Sequence, residues 1–284
     1  MGKRPFPAKK CPRKVKKMQN RNHIACLTEN PLDRIAEPLG LCGIFRTIAC
    51  IGDSLSSGEF EVQDQQEPPQ KKYLDLFEYS WGQHIARRTG SRVYNFSRGG
   101  MSAKWYLDSF GDENDLWNPE KAAQAYIIAL GVNDLFGAKQ PVGSVEDIHV
   151  GEPEKNADTF AGYYAQIIER YRAISPNARF FLMTMPRENN PEDSIRAAHA
   201  DLLHRIAALY PHTFVLDFYR YAPVYDAEFK KKFFMYGHMN PAGYVLTARM
   251  TEAYLDHLIL QYPDEFDQVG LIGTPDYDTR LDKV

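Results

Sequence analysis

RTIACIGDSLSSGEF, Arg46 to Phe60, sets an apolar run, Ile48–Ile51, directly against Gly52-Asp53-Ser54-Leu55. The run has the length and composition of a buried strand rather than a helix. A buried strand that stops on a serine, between an aspartate and further small residues, is either making a turn or holding that serine at the open end of a sheet. The remainder of the chain decides between the two.

Further strand candidates follow at Arg92–Phe96, Tyr126–Leu130, Arg179–Met183 and Thr213–Leu216, with the first at Thr47–Ile51. Their apolar stretches are continuous, as expected of strands covered on both faces. Between them the apolar period changes to that of a helix. Thr159–Ile174 repeats Phe160, Tyr163, Tyr164, Ile167, Ile168, Tyr171 and Ile174, and Ser175-Pro176-Asn177 ends it. Ser194–Leu209 behaves similarly, with Ile195, Leu202, Leu203, Ile206 and Leu209. A last helix starts at Asn240-Pro241, a good cap followed by a proline suited to the first helical position, with Val245, Ala248, Tyr254, Leu255 and Leu258 on one side. Strands alternating with helices define an α/β chain with a mostly parallel sheet and helices on both faces. Ligands of such sheets bind at the carboxyl ends of the strands. Ser54 lies just past the first of those ends.

The chain's 284 residues suit one α/β domain with extensions. Residues 1–45, interrupted by Pro5, Pro7, Pro12, Pro31 and Pro38, read as an irregular N-terminal extension partly wrapped on the domain. The domain itself is expected over 46–262, with a C-terminal tail at 263–284. Charge is uneven: residues 1–22 carry +9 and no acid, against −12 for the rest. With only Phe6 among the basic residues, 1–22 read as a solvated tail rather than a nucleic-acid arm, and no nucleic-acid partner is expected. No apolar run approaches the ~20 residues of a membrane span. The basic start lacks the apolar segment of a signal peptide, so a cytoplasmic location is expected. Cys11, Cys26, Cys42 and Cys50 have spacings that suit neither a zinc site nor a disulfide scaffold.

Three more segments fall at the same edge of the sheet. YNFSRGGMS, Tyr94–Ser102, follows the second strand, ALGVNDLF, Ala129–Phe136, follows the third, and MYGHMNPAGY, Met235–Tyr244, precedes the last helix. Together with Ser54 they bring a glycine pair, an asparagine and a histidine to one place. Acyl transfer needs such a set. Ser54 is the candidate nucleophile and His238 its base. The backbone N–H groups of Ser54 and Gly100 and the side-chain amide of Asn133 are candidate donors to an oxyanion. Each residue alone has an ordinary reading as a turn, a cap or a surface histidine. Their joint placement carries the argument, and it predicts Ser54 and His238 within hydrogen-bond reach.

In these blocks the sequence resembles the SGNH, or GDSL, hydrolase family. Gly52-Asp53-Ser54-Leu55 matches the first family block, Gly100 the second, Gly131-Val132-Asn133-Asp134 the third and His238 the fifth. The resemblance covers roughly residues 46–260. It implies a flavodoxin-like three-layer α/β/α sandwich with a five-stranded parallel sheet, no metal or organic cofactor, and ester hydrolysis through an acyl-serine intermediate. It also implies the roles already given to Ser54, His238, Gly100 and Asn133.

One position departs from the family. An aspartate usually stands three residues before the histidine, and here that residue is Met235. A base histidine needs an acceptor to fix its tautomer. The acceptor is either a backbone carbonyl near Met235, with Gly237 permitting the tight turn, or a carboxylate from Asp217, Asp226 or Glu228. The alternative is that activity is lost.

The segments Ser56–Trp81, Lys104–Leu107 and Asn133–Lys155 read as loops, polar and aromatic rather than rich in Leu, Ile or Val. If they line the pocket, they favour a small-molecule or glycan ester with a short acyl group, such as acetyl on a carbohydrate. A lipase- or lysophospholipase-type acylhydrolase and a weakened glycan-binding module are the competing expectations.

Overall fold

A computed structural model describes residues 30–281. Nine strands occur among these residues: β1 Thr47–Gly52, β2 Glu59–Gln63, β3 Lys71–Asp75, β4 Arg92–Ser97, β5 Ala125–Ala129, β6 Arg179–Met183, β7 Thr213–Leu216, β8 Phe234–Met235 and β9 His238–Met239. The main sheet has five parallel strands in the order β4-β1-β5-β6-β7. The chain winds one way from β1 to β4 and then crosses to β5 on the other side. That reversal creates a crevice at the carboxyl end of β1, the usual ligand position in open α/β sheets.

Side-chain alternation divides the core in two. Ala49, Ile51, Tyr126, Ile128, Phe180 and Leu182 face one apolar layer. Ile48, Cys50, Ala125, Ile127, Phe181 and Met183 face the other. The first layer is covered by α2 (Phe160–Ile174) and α3 (Asp193–Ala207), the second by α1 (Trp81–Thr89) and α5 (Pro241–Gln261). This is the three-layer α/β/α arrangement expected from the sequence. The expected caps are present: Thr159 Oγ1 accepts from Gly162 N–H at 3.2 Å and Asn240 Oδ1 from Gly243 N–H at 3.0 Å. Val245, assigned from periodicity to the inner side of the last helix, is exposed, and Tyr244 takes the buried place.

Ser56–Trp81 is not simply loop. It contains the antiparallel hairpin β2–β3, with Phe60 opposite Leu74 and Glu61 opposite Tyr73. Chain outside 46–262 also contributes to the core. Phe45 is fully buried with its ring edge-on to Phe181 and Phe266, and Asp256 accepts the N–H groups of Gly40 and Leu41 at 3.0 and 2.6 Å. Val269 and Ile272 are buried in the same layer. The basic residues 1–22, with Cys11, lie outside the described residues, as does Cys26. Cys42 and Cys50 are buried free thiols. Among the described residues, no helix is long and apolar enough to cross a membrane.

Candidate active site

Ser54 opens a single helical turn, Ser54–Ser57, immediately after β1. Asp53 caps that turn, accepting the Leu55 N–H at 2.9 Å. The Asp53 carboxyl is buried, and burial is the main reason it is pushed up to about 7. From α5, the Tyr244 hydroxyl donates to the Glu59 carbonyl at 2.5 Å and lies 3.4 Å from that of Ser54. The serine is thus fixed between the end of the sheet and the last helix.

The loops after β4 and β5 are tied together beside it. Asn133 begins a π-helical turn, Asn133–Gly137, and its Nδ2 donates to the Met101 carbonyl at 3.0 Å. Asp134 is fully buried and accepts the Ala103 N–H at 2.8 Å. Desolvation pushes its carboxyl up to about 6. Gly100 has φ +75°, and a Cβ there would meet nothing closer than Trp105 at 3.9 Å. Glycine is therefore required at 100 for its left-handed backbone. Close approach is the constraint at Gly99 instead, where a Cβ would run into the Glu59 carboxylate.

His238 lies on β9, paired with Met235 across the β8–β9 hairpin. This strand packs against both the Ser54–Ser57 turn and β2. The imidazole stands between two carboxylates of β2. Its Nδ1 is hydrogen-bonded to Glu61 Oε2 at 3.3 Å, and its Nε2 is 3.1 Å from Glu59 Oε1. Glu61 Oε2 also accepts the Gly237 N–H at 2.9 Å, and Oε1 is 2.6 Å from Lys71 Nζ. The Lys71 hydrogen bond is the main reason the Glu61 carboxyl is held below the usual range, whereas burial raises that of Glu59. Tyr73 stands edge-on to the imidazole, ring centroids 5.5 Å apart.

These contacts replace the expected partners of His238. Asp217 Oδ2 is 2.9 Å from His204 Nε2, and Asp217 also caps the turn that follows it. Asp226 caps α4 (Ala227–Phe233) through the Phe229 N–H at 2.9 Å, and Glu228 is exposed on that helix. In the hairpin turn the left-handed residue is Tyr236, φ 58°. Gly237 serves close approach, since a Cβ there would lie 2.7 Å from Glu61 Oε2. Among the described hydrogen bonds, none joins Ser54 Oγ to His238.

A cavity of ≈ 200 Å³ is bounded by Asp53 and Leu55, the two neighbours of Ser54, and by Val132 and Gly237. Its walls are apolar, built from Leu130, Met183, Met185, Phe218, Phe234 and Met239. At its rim Glu188 bridges Arg196 and Lys230, at 3.1 and 2.7 Å. Among the described residues, no group of three or more His, Cys, Asp or Glu side chains is placed to hold a metal ion.

Sequence reasoning passed over Glu59 and Glu61. The available signal was the alternation Glu59-Phe60-Glu61-Val62, which on a strand puts both acids on the face opposite Phe60. It lies within a few residues of the serine but 177 residues from His238 along the chain.

The sequence matches the GDSL-like Lipase/Acylhydrolase family over residues 50–246. The chain belongs to that family and is an ester-hydrolysing enzyme. One protein of solved structure is 25% identical, aligned over 74% of this chain and 95% of its own, with a TM-score of 0.53. A Lactobacillus plantarum protein is 16% identical over 75% of this chain and 97% of its own, with a TM-score of 0.54. A carbohydrate esterase family 2 enzyme of Corynascus thermopiles (Myceliophthora fergusii), which carries a carbohydrate binding domain, is 14% identical. It aligns over 76% of this chain and 66% of its own, with a TM-score of 0.51. At these lower identities the likeness is one of fold. No curated protein matches the sequence.

Proposed function

We propose that the enzyme hydrolyses carboxylic esters through an acyl-serine formed on Ser54. The observation that carries this reading is the meeting of four segments at one edge of the sheet: the Ser54 turn after β1, the Gly99-Gly100 turn after β4, the Asn133 turn after β5 and the His238 hairpin. Ser54 Oγ attacks the ester carbonyl carbon and His238 takes its proton. The carbonyl oxygen becomes an oxyanion bound by the N–H groups of Ser54 and Gly100 and by Asn133 Nδ2. Collapse expels the alcohol, protonated by His238, and leaves the acyl group on Ser54. Water then attacks the acyl-serine by the same steps in reverse order. The arrangement of His238 requires a local shift of the imidazole from Glu59 toward Ser54 when substrate binds. Catalytic hydrogen bonds commonly tighten only in the complex.

The acyl group enters the apolar cavity beside Ser54. Its ≈ 200 Å³ of apolar-walled space accommodates an acyl chain of several carbons. The alcohol faces exposed aromatic surfaces, Tyr73, Trp105 and Tyr236, which suit the flat faces of a sugar. An ester of a short acyl group with a carbohydrate is the substrate class these features favour. The test is a p-nitrophenyl ester series of increasing chain length with wild type and Ser54→Ala, followed by acylated sugars. Hydrolysis confined to short and medium chains and absent from Ser54→Ala is expected. Turnover by Ser54→Ala equal to wild type would overturn the reading.

One observation favours a second reading, a lipase- or lysophospholipase-type acylhydrolase. Tyr73, Leu74, Leu76, Phe77 and Tyr79 are exposed in one stretch of the chain, and Tyr73 packs against His238. Activation by micelles, with a preference for long chains, would select it over the first.

A further inference from the structure

The enzyme has the base of its family without the family's acid, because Met235 stands where an aspartate is expected. We propose that Glu61, on β2, is the carboxylate that positions His238, completing a Ser54–His238–Glu61 triad with an acid from the other end of the domain. This inference rests on the serine-esterase reading given above.

Three features of the site support it. First, Glu61 meets the correct nitrogen. A triad acid holds Nδ1–H so that Nε2 presents its lone pair to the serine. Glu61 Oε2 is hydrogen-bonded to Nδ1, whereas Glu59 faces Nε2, the nitrogen that must receive the Ser54 proton. Second, Glu61 is fixed. Its side chain is only 4% exposed, one oxygen is held by Lys71 and the other by the Gly237 N–H of the histidine's own hairpin. The same oxygen therefore grips both the backbone and the ring of the segment that carries the base. Third, the fit is mutual. Glycine at 237 leaves room for the carboxylate, since a Cβ would sit 2.7 Å from it. The carboxylates once expected to hold His238 are engaged elsewhere or exposed, as described above.

Nothing in the chemistry requires the acid to lie three residues before the histidine. It requires a carboxylate at Nδ1, ionised and unable to rotate away. The packing of β2 on the β8–β9 hairpin delivers one, and Met235 is then free to be apolar and to pack against the second core layer.

The experiment compares wild type, Ser54→Ala, Glu61→Gln, Glu61→Asp, Glu59→Gln and the double variant Glu61→Gln/Met235→Asp on p-nitrophenyl acetate, with thermal unfolding of each. Glu61→Gln is expected to lower kcat by a factor on the order of 10²–10⁴ with KM little changed, as loss of a triad carboxylate does. Glu61→Asp should fall between it and wild type. Glu59→Gln should remain at or above wild type. Restoring the family's acid in Glu61→Gln/Met235→Asp should recover at least tenfold of the loss, a result that a merely structural role of Glu61 does not produce. A Glu61→Gln variant within about threefold of wild type overturns the proposal. So does a Glu59→Gln variant that falls as far as Glu61→Gln. Should Glu61→Gln fail to fold, Glu61→Asp decides, and wild-type kcat in that variant overturns the proposal. Activity in Ser54→Ala would instead overturn the esterase reading, so the two failures are distinguishable.

Discussion

The side-chain amide of Asn133 donates one N–H to the Met101 carbonyl at 3.0 Å, which ties the loop after β5 to the loop after β4. An asparagine amide has two N–H donors, so in the proposed mechanism one is left for the substrate oxygen while the other fixes the orientation of the group. Asn133→Ala is therefore expected to lower kcat by about 10²–10³, the usual cost of removing one preorganised oxyanion donor. Its melting transition should move little, because the loops remain joined through Asp134 and the Ala103 N–H. Unchanged kcat in a folded variant would make Asn133 a brace between loops and nothing more.

Burial of Asp53 has a consequence for stability. Its carboxyl is pushed from 3.8 up to about 7, mainly by desolvation and further by the nearby charges of Asp134 and Glu59. A raised acid pKa means that the folded state holds the proton more tightly than the unfolded state. Its contribution is fully present below pH ~4 and is lost as pH rises through about 7. Asp53→Asn keeps a good capping side chain and removes the titration. Relative to Asp53→Asn, wild type should lose stability steadily between pH ~4 and ~7 and then level off, by no more than about 4 kcal/mol. Urea unfolding of both proteins across that range measures the difference, and parallel curves would show that Asp53 does not titrate there.

The N-terminal segment gives a prediction about boundaries. The blocks proposed to carry catalysis begin after Arg46, and deletion of residues 1–22 should leave turnover and the melting transition near wild type. Deletion of 1–45 should not. It removes Phe45, fully buried between Phe181 and Phe266, and the Gly40 and Leu41 N–H groups from the buried carboxylate of Asp256. Loss of a buried phenylalanine alone costs about 3–5 kcal/mol, a large part of a typical domain's stability. A stable, active protein lacking 1–45 would contradict this account.

What could be read from the sequence follows from how each feature is encoded. The strands of the main sheet carry their signal in themselves, because burial on both faces makes Ile48–Ile51 or Phe180–Met183 a continuous apolar run. Caps such as Thr159 and Asn240 are equally local. The β2–β3 hairpin was hidden because β3 is exposed along its whole length and β2 alternates acid with apolar residues, so neither run is continuously apolar. The partner of His238 was hidden for a different reason. Its spacing to Glu61 is set by the packing of β2 on the β8–β9 hairpin, and no local pattern records that. The cavity wall was likewise missed because Met183, Met185, Phe218 and Phe234 lie near strand ends and in the hairpin, outside the long loops whose composition suggested acetyl.

Glu59 supplies the last prediction, through its contact with Gly99. Its carboxylate stands 3.1 Å from His238 Nε2 and fills the space a Cβ at position 99 would take. Gly99 is not left-handed, so alanine is compatible with its backbone, and the obstacle is the end of a flexible side chain. Gly99→Ala should therefore fold with little loss of stability and displace Glu59 from the imidazole. Glu59→Gln weakens the same contact by removing its charge. If this contact withholds Nε2 from Ser54, each change should raise kcat/KM severalfold. The double variant should then gain no more than the better single one, since two changes that act through one contact do not add. Steady-state kinetics of the four proteins, with thermal unfolding as a check on folding, makes the comparison. Independent, multiplying effects would mean that Gly99 acts through the oxyanion turn rather than through Glu59. A fall in kcat/KM for Glu59→Gln would mean that Glu59 assists the histidine instead of restraining it.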